Sequence, residues 1–169
     1  MERYLFVIDY QNDFVDGALG FPGAEKLDAG IAAKIRSYGK GRVFFTRDTH
    51  FENYPETREG KNLPVQHCIK GTDGWQIAEV LQEFAENAVA IVEKPSFGYT
   101  GWQEIAAGYD EITLGGLCTD ICVISNAMLL KAFFPEIRLR IDSTCCAGVT
   151  AESHNNALQS MKMCQMDII

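Results

Sequence analysis

Short apolar runs alternate along the chain with stretches of helical spacing, and that alternation limits the fold more than any other feature. Arg3 to Tyr10 is nearly continuous in apolar residues, the pattern of a strand buried on both faces. Further strands are expected at Arg42–Thr46, Ala88–Val92, Glu111–Leu114, Ile137–Ile141 and Gln165–Ile169. Between the first two, Leu27, Ile31, Ile35 and Tyr38 recur at helical spacing within Glu25–Tyr38. Similar patterns predict helices over Gly74–Ala85, Gly101–Ala107, from Thr119 to just before Pro135, and over Thr150–Met163. Strands alternating with helices build βαβ units, so the expected class is α/β, a parallel sheet covered on both faces. With 169 residues and no repeat or linker, the chain reads as one domain, 1–169.

Net charge is −8, which opposes nucleic-acid binding, because phosphate contact relies on clustered Lys and Arg. No apolar run approaches the roughly 20 residues of a membrane span. The first apolar run is too short for an export signal and closes on Asp9, so a cytoplasmic location with reduced thiols is expected. Adjacent Cys145-Cys146 and the lack of paired C-x-x-C motifs argue against a disulfide framework and against a thiolate zinc site. No glycine-rich phosphate loop follows any strand.

In a sheet of this kind ligands bind beyond the carboxyl ends of the strands. Asp9, Asp48 with His50, Lys94 and the Gly115–Val123 turn all fall there, so carboxylates, a cation and a thiol converge on one crevice. Thr119 is placed to N-cap the next helix, which puts Cys122 in its first turn, where the helix dipole favours thiolate. Cys118, Cys145, Cys146 and Cys164 read as small core residues. An unperturbed thiol is mostly protonated at neutral pH and needs a base. Asp9 is the candidate; to return the proton to a leaving amine, its pKa must be raised by burial. Lys94 would hold both negative groups, and free N–H groups of the turn would receive an oxyanion. Taken singly, Asp9 is also a turn acid and Lys94 a solvated strand-end lysine. The polar stretch 51–72 carries His67 and Glu52, Glu56 and Glu59; with Asp48 and His50 these suit Zn²⁺, Mn²⁺ or Fe²⁺. His154 reads as structural.

The segments Asp9-Tyr10-Gln11-Asn12-Asp13-Phe14, Thr46-Arg47-Asp48-Thr49-His50, Pro64-Val65-Gln66-His67-Cys68, Lys94-Pro95-Ser96-Phe97 and Gly116–Val123 occur in that order. In them the chain resembles the isochorismatase-like cysteine hydrolases, and within these the nicotinamidases. The resemblance implies a three-layer α/β/α, Rossmann-like fold with a six-stranded parallel sheet. It implies a catalytic triad of Asp9, Lys94 and Cys122, a cis peptide joining Leu117 to Cys118, and an oxyanion hole from the Cys118 and Cys122 amides. It also implies a divalent metal, zinc first, on Asp48, His50 and His67, with Glu59 as the remaining ligand and Glu56 as the fallback. One departure is Leu63-Pro64, where an aromatic residue often stands; Phe14, Tyr99 or Trp102 would then supply the wall for the substrate ring. The implied activity is cleavage of a small carboxamide, nicotinamide first, to acid and ammonia through a thioester, by an enzyme expected to be a homo-oligomer. Other readings are a metal-free hydrolase of a carbamoyl or ureido compound and a non-catalytic redox protein with a reversible Cys118–Cys122 disulfide. Vinyl ether hydrolysis is disfavoured because it needs no thiol.

Overall fold

The computed structural model describes residues 1–169. Its strands are β1 (Arg3–Ile8), β2 (Val43–Asp48), β3 (Ala90–Lys94), β4 (Glu111–Leu117), β5 (Arg138–Ala147) and β6 (Asp167–Ile168). Its helices are α1 (Asn12–Val15), α2 (Asp28–Tyr38), α3 (Arg58–Asn62), α4 (Gln82–Glu86), α5 (Trp102–Ile105), α6 (Ile124–Phe133) and α7 (Ala151–Met163). The six strands form one sheet in the order β3-β2-β1-β4-β5-β6, with every pair parallel.

The apolar run of β1 sorts into two cores by alternation. Leu5 and Val7 face one side, packing with Ile31 and Ile35 of α2. Phe6 and Ile8 face the other, packing with Trp102 of α5, Ala127 and Leu130 of α6, and Met161 of α7. Successive strand side chains point to opposite faces, so a strand covered on both sides has no polar position to spare. Each fully buried side chain of this size contributes about 1.5–3 kcal/mol. The chain leaves β1 toward β2 and β3, and leaves β4 toward β5 and β6. Strand order therefore reverses between β1 and β4, and the crevice at their carboxyl ends is the expected ligand site.

Several boundaries differ from the sequence expectation. β2, β3, β4 and β5 all run further, so Asp48 and Lys94 close their strands rather than follow them. The helix expected over Gly74–Ala85 shrinks to a short 3₁₀ turn, Glu79–Leu81, and α4. The first half of that segment is instead bonded to the end of β1. Asn12 N–H donates to Gln76 O (3.0 Å), Asp13 N–H to Gly74 O (3.0 Å) and Ala78 N–H to Tyr10 O (2.9 Å). A helix there would forfeit these bonds. No helix is long and apolar enough to cross a membrane.

Candidate active site

The end of β1 turns sharply at Asp9, whose φ is +43°. Thr46 on neighbouring β2 fixes it twice: its hydroxyl donates to Asp9 Oδ1 (2.5 Å) and accepts from Asp9 N–H (3.0 Å). The other oxygen, Oδ2, faces Lys94 Nζ at 2.5 Å and accepts no well-directed hydrogen bond. Lys94 Nζ also donates to Ser96 O (3.0 Å), lies 3.7 Å from Cys122 Sγ, and lies 3.6 Å from Asp48 Oδ1. Asp9 and Lys94 are 0 % exposed and Cys122 is 3 % exposed. The strand ends thus bring the three expected triad residues together.

Burial at that depth sets the protonation states. It pushes the Cys122 thiol well above its ordinary pKa; Asp9 adds to the rise and Lys94 opposes it. Where the sequence led to the expectation of a dipole-favoured thiolate, burial of Cys122 acts in the opposite direction and favours the neutral thiol. Burial likewise raises Asp9, against the opposing Lys94 charge. For Lys94 burial disfavours the cation, but Asp9, Cys122 and Asp48 outweigh it and hold the ammonium above its ordinary range. Burial therefore favours the neutral thiol and strengthens Asp9 as a proton acceptor, while the surrounding negative groups favour the Lys94 cation.

The glycine turn before Cys122 has its own geometry. Gly116 has φ +118°, and a Cβ there would run into the Ile8 backbone, so only glycine lets β4 approach β1 so closely. The Leu117–Cys118 peptide is cis, as the resemblance implies. Thr119–Val123 forms a wide π turn, closed by Val123 N–H donating to Cys118 O (3.0 Å). Thr119 is not the N-cap. Its hydroxyl pairs with His154 Nδ1 of α7 (2.8 Å), and Cys118 takes the cap position without a side-chain bond. His154 is thereby structural, as expected. The Cys118 N–H donates to no acceptor in the protein.

Beside the triad lies a second constellation. Asp48, His50, Glu59 and His67 each offer one donor atom, and these atoms all lie within 4.8 Å of one another. Asp48 Oδ2 is 3.0 Å from His50 Nε2 and 3.6 Å from His67 Nε2; Glu59 Oε1 is 3.5 and 3.6 Å from the same nitrogens. A tetrahedral ion with bonds of about 2.0–2.2 Å separates its donors by about 3.4 Å, so the four atoms fit such an ion. His67 Nδ1 sits 2.8 Å from Val65 O, which fixes that nitrogen as N–H and leaves Nε2 as the donor to a metal. Burial opposes a His50 imidazolium, yet Asp48 and Glu59 raise its pKa to about 9, a sign that the cluster calls for positive charge. Glu59 rides on α3, whose N-cap Thr57 accepts from Gly60 N–H (3.0 Å). Glu52 and Glu56 are exposed and outside the cluster.

Of the expected ring-wall residues, Phe14 is buried with its ring 5.6 Å from that of His67. Tyr99 is half-buried, edge-on to Trp102 at 5.0 Å. Trp102 is wholly buried and stacked on Phe6 at 4.8 Å, so it belongs to the core and not to a substrate wall. Sequence reasoning missed Thr46, Gln11, Tyr54 and Asn126. Gln11 is fully buried; its carboxamide donates to Asp48 O (3.0 Å) and Trp75 O (2.9 Å) and accepts from Asp48 N–H (2.8 Å). Tyr54 packs its ring against both His50 and His67, at 4.7 and 5.1 Å. The available signals were Gln11 and Thr46, which lie within the segments that carry the resemblance, and Asn126, a lone carboxamide in a largely apolar helical run.

Comparison with known proteins gives a consistent picture. The family model described as "Isochorismatase domain" matches residues 3–169. The nicotinamidase/pyrazinamidase of Mycobacterium tuberculosis is 26 % identical over 186 residues, covering 99 % of this chain and 98 % of that protein. The crystal structure of nicotinamidase PncA from Bacillus subtilis superposes with a TM-score of 0.84 at 27 % identity, covering 99 % of both chains. That of the pyrazinamidase of Pyrococcus horikoshii in complex with zinc gives 0.85 at 25 % identity, covering 100 % of this chain and 99 % of the other.

Proposed function

The chain belongs to the isochorismatase domain family and is a hydrolase acting on amide C–N bonds; from that premise we propose that it converts nicotinamide to nicotinate and ammonia through a thioester on Cys122. One observation carries this reading. Asp48 belongs to both constellations, with Oδ2 among the candidate metal donors and Oδ1 3.6 Å from Lys94, so the two lie side by side and one small substrate could engage both.

The steps follow from the protonation states. As Cys122 Sγ attacks the amide carbonyl, its proton passes to Asp9 Oδ2, the carboxylate oxygen left without a directed hydrogen bond. Lys94 remains charged and stabilises the thiolate as it forms. The unpaired Cys118 N–H, with that of Cys122, receives the oxyanion. Asp9, whose raised pKa helps it hold that proton, then delivers it to the departing nitrogen, which leaves as ammonia. Water attacks the thioester carbonyl while Asp9 takes its proton, and as the carbon–sulfur bond breaks Asp9 returns that proton to the departing sulfur, restoring the thiol and its own carboxylate. Asp48, His50, Glu59 and His67 would hold a divalent ion, zinc by the donor set, which when bound supplies a Lewis acid able to anchor the pyridine nitrogen. Phe14 and Tyr99 are the candidate walls for the ring.

The redox alternative fits less well. Both cysteines are free, and burial pushes Cys118 up to about 12 and Cys122 well above its ordinary value, which suppresses the thiolate that disulfide exchange requires. Ammonia release from nicotinamide and from a ureido compound, each with and without chelator, tests the reading. Nicotinamide turnover that chelator removes and added metal restores is expected. Turnover of the ureido compound alone, indifferent to chelator, would replace it.

A further inference from the structure

The geometry points to Asn126 as a positioning residue that clasps the loop after β3 to the nucleophile and so sets the spacing between Lys94 and Cys122. Asn126 sits on α6, one turn beyond Cys122, and is 0 % exposed. A carboxamide has two donor hydrogens and two acceptor lone pairs, and here all four are used. Its Oδ1 accepts from Tyr99 N–H (2.9 Å) and Trp102 Nε1–H (2.9 Å). Its Nδ2 donates to Phe97 O (3.0 Å) and to Cys122 O (2.8 Å). Three of the four bonds reach the segment 97–102, and the fourth holds the backbone of Cys122 itself.

Lys94 finds its backbone anchor immediately before that segment. Lys94 Nζ donates to Ser96 O (3.0 Å), one residue before the Phe97 carbonyl that Asn126 holds. A single side chain therefore links the lysine's support to the nucleophile's support, on either side of the 3.7 Å between Nζ and Sγ. No other residue type supplies this pattern in the same volume. Aspartate offers only acceptors and would set a carboxylate against the Phe97 and Cys122 carbonyls. Leucine would leave the Tyr99 N–H and the Trp102 indole N–H buried without acceptors.

This role presupposes Cys122 as nucleophile with Lys94 as its cation, but not any particular amide. The test therefore uses no substrate. It measures the rate of Cys122 alkylation by iodoacetamide, read by peptide mass spectrometry, in a double-mutant cycle of wild type, Asn126→Ala, Lys94→Gln and the pair. Lys94→Gln keeps a donor and fills the same space. If Asn126 acts by placing Lys94, Asn126→Ala shifts the wild-type rate at least about fivefold and changes the Lys94→Gln rate by less than about twofold. Asn126→Asp, equal in shape, behaves as Asn126→Ala does and serves where the alanine variant does not fold. An equal factor in both backgrounds would reduce Asn126 to a structural clasp, and an unchanged wild-type rate, or full reactivity in Asn126→Asp, would overturn its role. A wrong substrate assignment would show instead as absent ammonia release with this cycle intact.

Discussion

Asp9, Lys94 and Cys122 stand where strands stop or where β4 turns into α6, whereas His50, Glu59 and His67 stand on the long segment between β2 and β3. The first group is placed by sheet register. Thr46 pairs with Val92 and Asp48 with Lys94, so the order of residues on one strand dictates which side chains meet across the next. The second group is placed by separate local devices. His50 N–H donates to Cys68 O (2.9 Å) and Lys70 N–H to His50 O (2.8 Å), drawing the two ends of the loop together. Glu59 depends on a five-residue helix, and on Gly60, where a Cβ would run into the Tyr54 backbone. The contrast teaches that a buried sheet can hold an acid, a lysine and a thiol together almost without exposure, while the four-residue cluster that could hold a metal rests on a lighter scaffold. Asp48, at the end of β2, joins the two.

The contrast predicts unequal responses to substitution. Cys122→Ala should lower ammonia release by at least about a thousandfold while the unfolding free energy changes by about 1 kcal/mol, because the nucleophile is lost and the fold is not. Comparable activity in that variant would sever the triad from the chemistry. Lys94→Met should cost about 3–5 kcal/mol in denaturant unfolding, since it strands the buried Asp9 carboxylate. The sign of its pH dependence follows from Asp9, whose folded pKa is already raised by burial. A raised carboxyl favours the folded state only while protonated, so the cost should grow as pH rises above the ordinary carboxylate range and through the raised Asp9 pKa. A loss independent of pH would mean that Asp9 is not the stranded charge.

At the loop, effects should be smaller and confined to the metal. Glu59→Ala should weaken metal retention at least about tenfold, read as metal per protein after dialysis, and Glu56→Ala should leave it unchanged. The reverse result would move the fourth ligand along the loop. Smallest is Trp75→Phe, which removes the bond from the indole N–H to Thr49 Oγ1 (2.9 Å) and should cost about 1 kcal/mol in unfolding without altering metal content.

The same contrast explains what could be read in the sequence. The convergence of Asp9, Lys94 and Cys122 was legible because buried strands leave continuous apolar runs, and whatever follows such a run lies at the sheet's end. Asp9 and Lys94 were found that way, even though β3 runs two residues further than its apolar pattern suggests. Glu59 was not legible from chemistry, since Glu52 and Glu56 offered the same carboxylate; its choice rested on the family resemblance. The helix expected over Gly74–Ala85 failed because its backbone bonds go to Tyr10, Asn12 and Asp13, partners that periodicity cannot reveal. Thr119 failed as a cap because a histidine 35 residues away takes its hydroxyl. Asn126 went unnoticed because its value lies in four bonds made in three dimensions.

The central claim is that Cys122 carries the acyl group. Acid quenching during turnover of nicotinamide, followed by peptide mass analysis, tests it most directly. A nicotinoyl adduct confined to the Cys122 peptide, and lost when the quenched protein is treated with hydroxylamine, is the expected result. Ammonia release at an undiminished rate with no adduct on that peptide, and equally from Cys122→Ala, would contradict it.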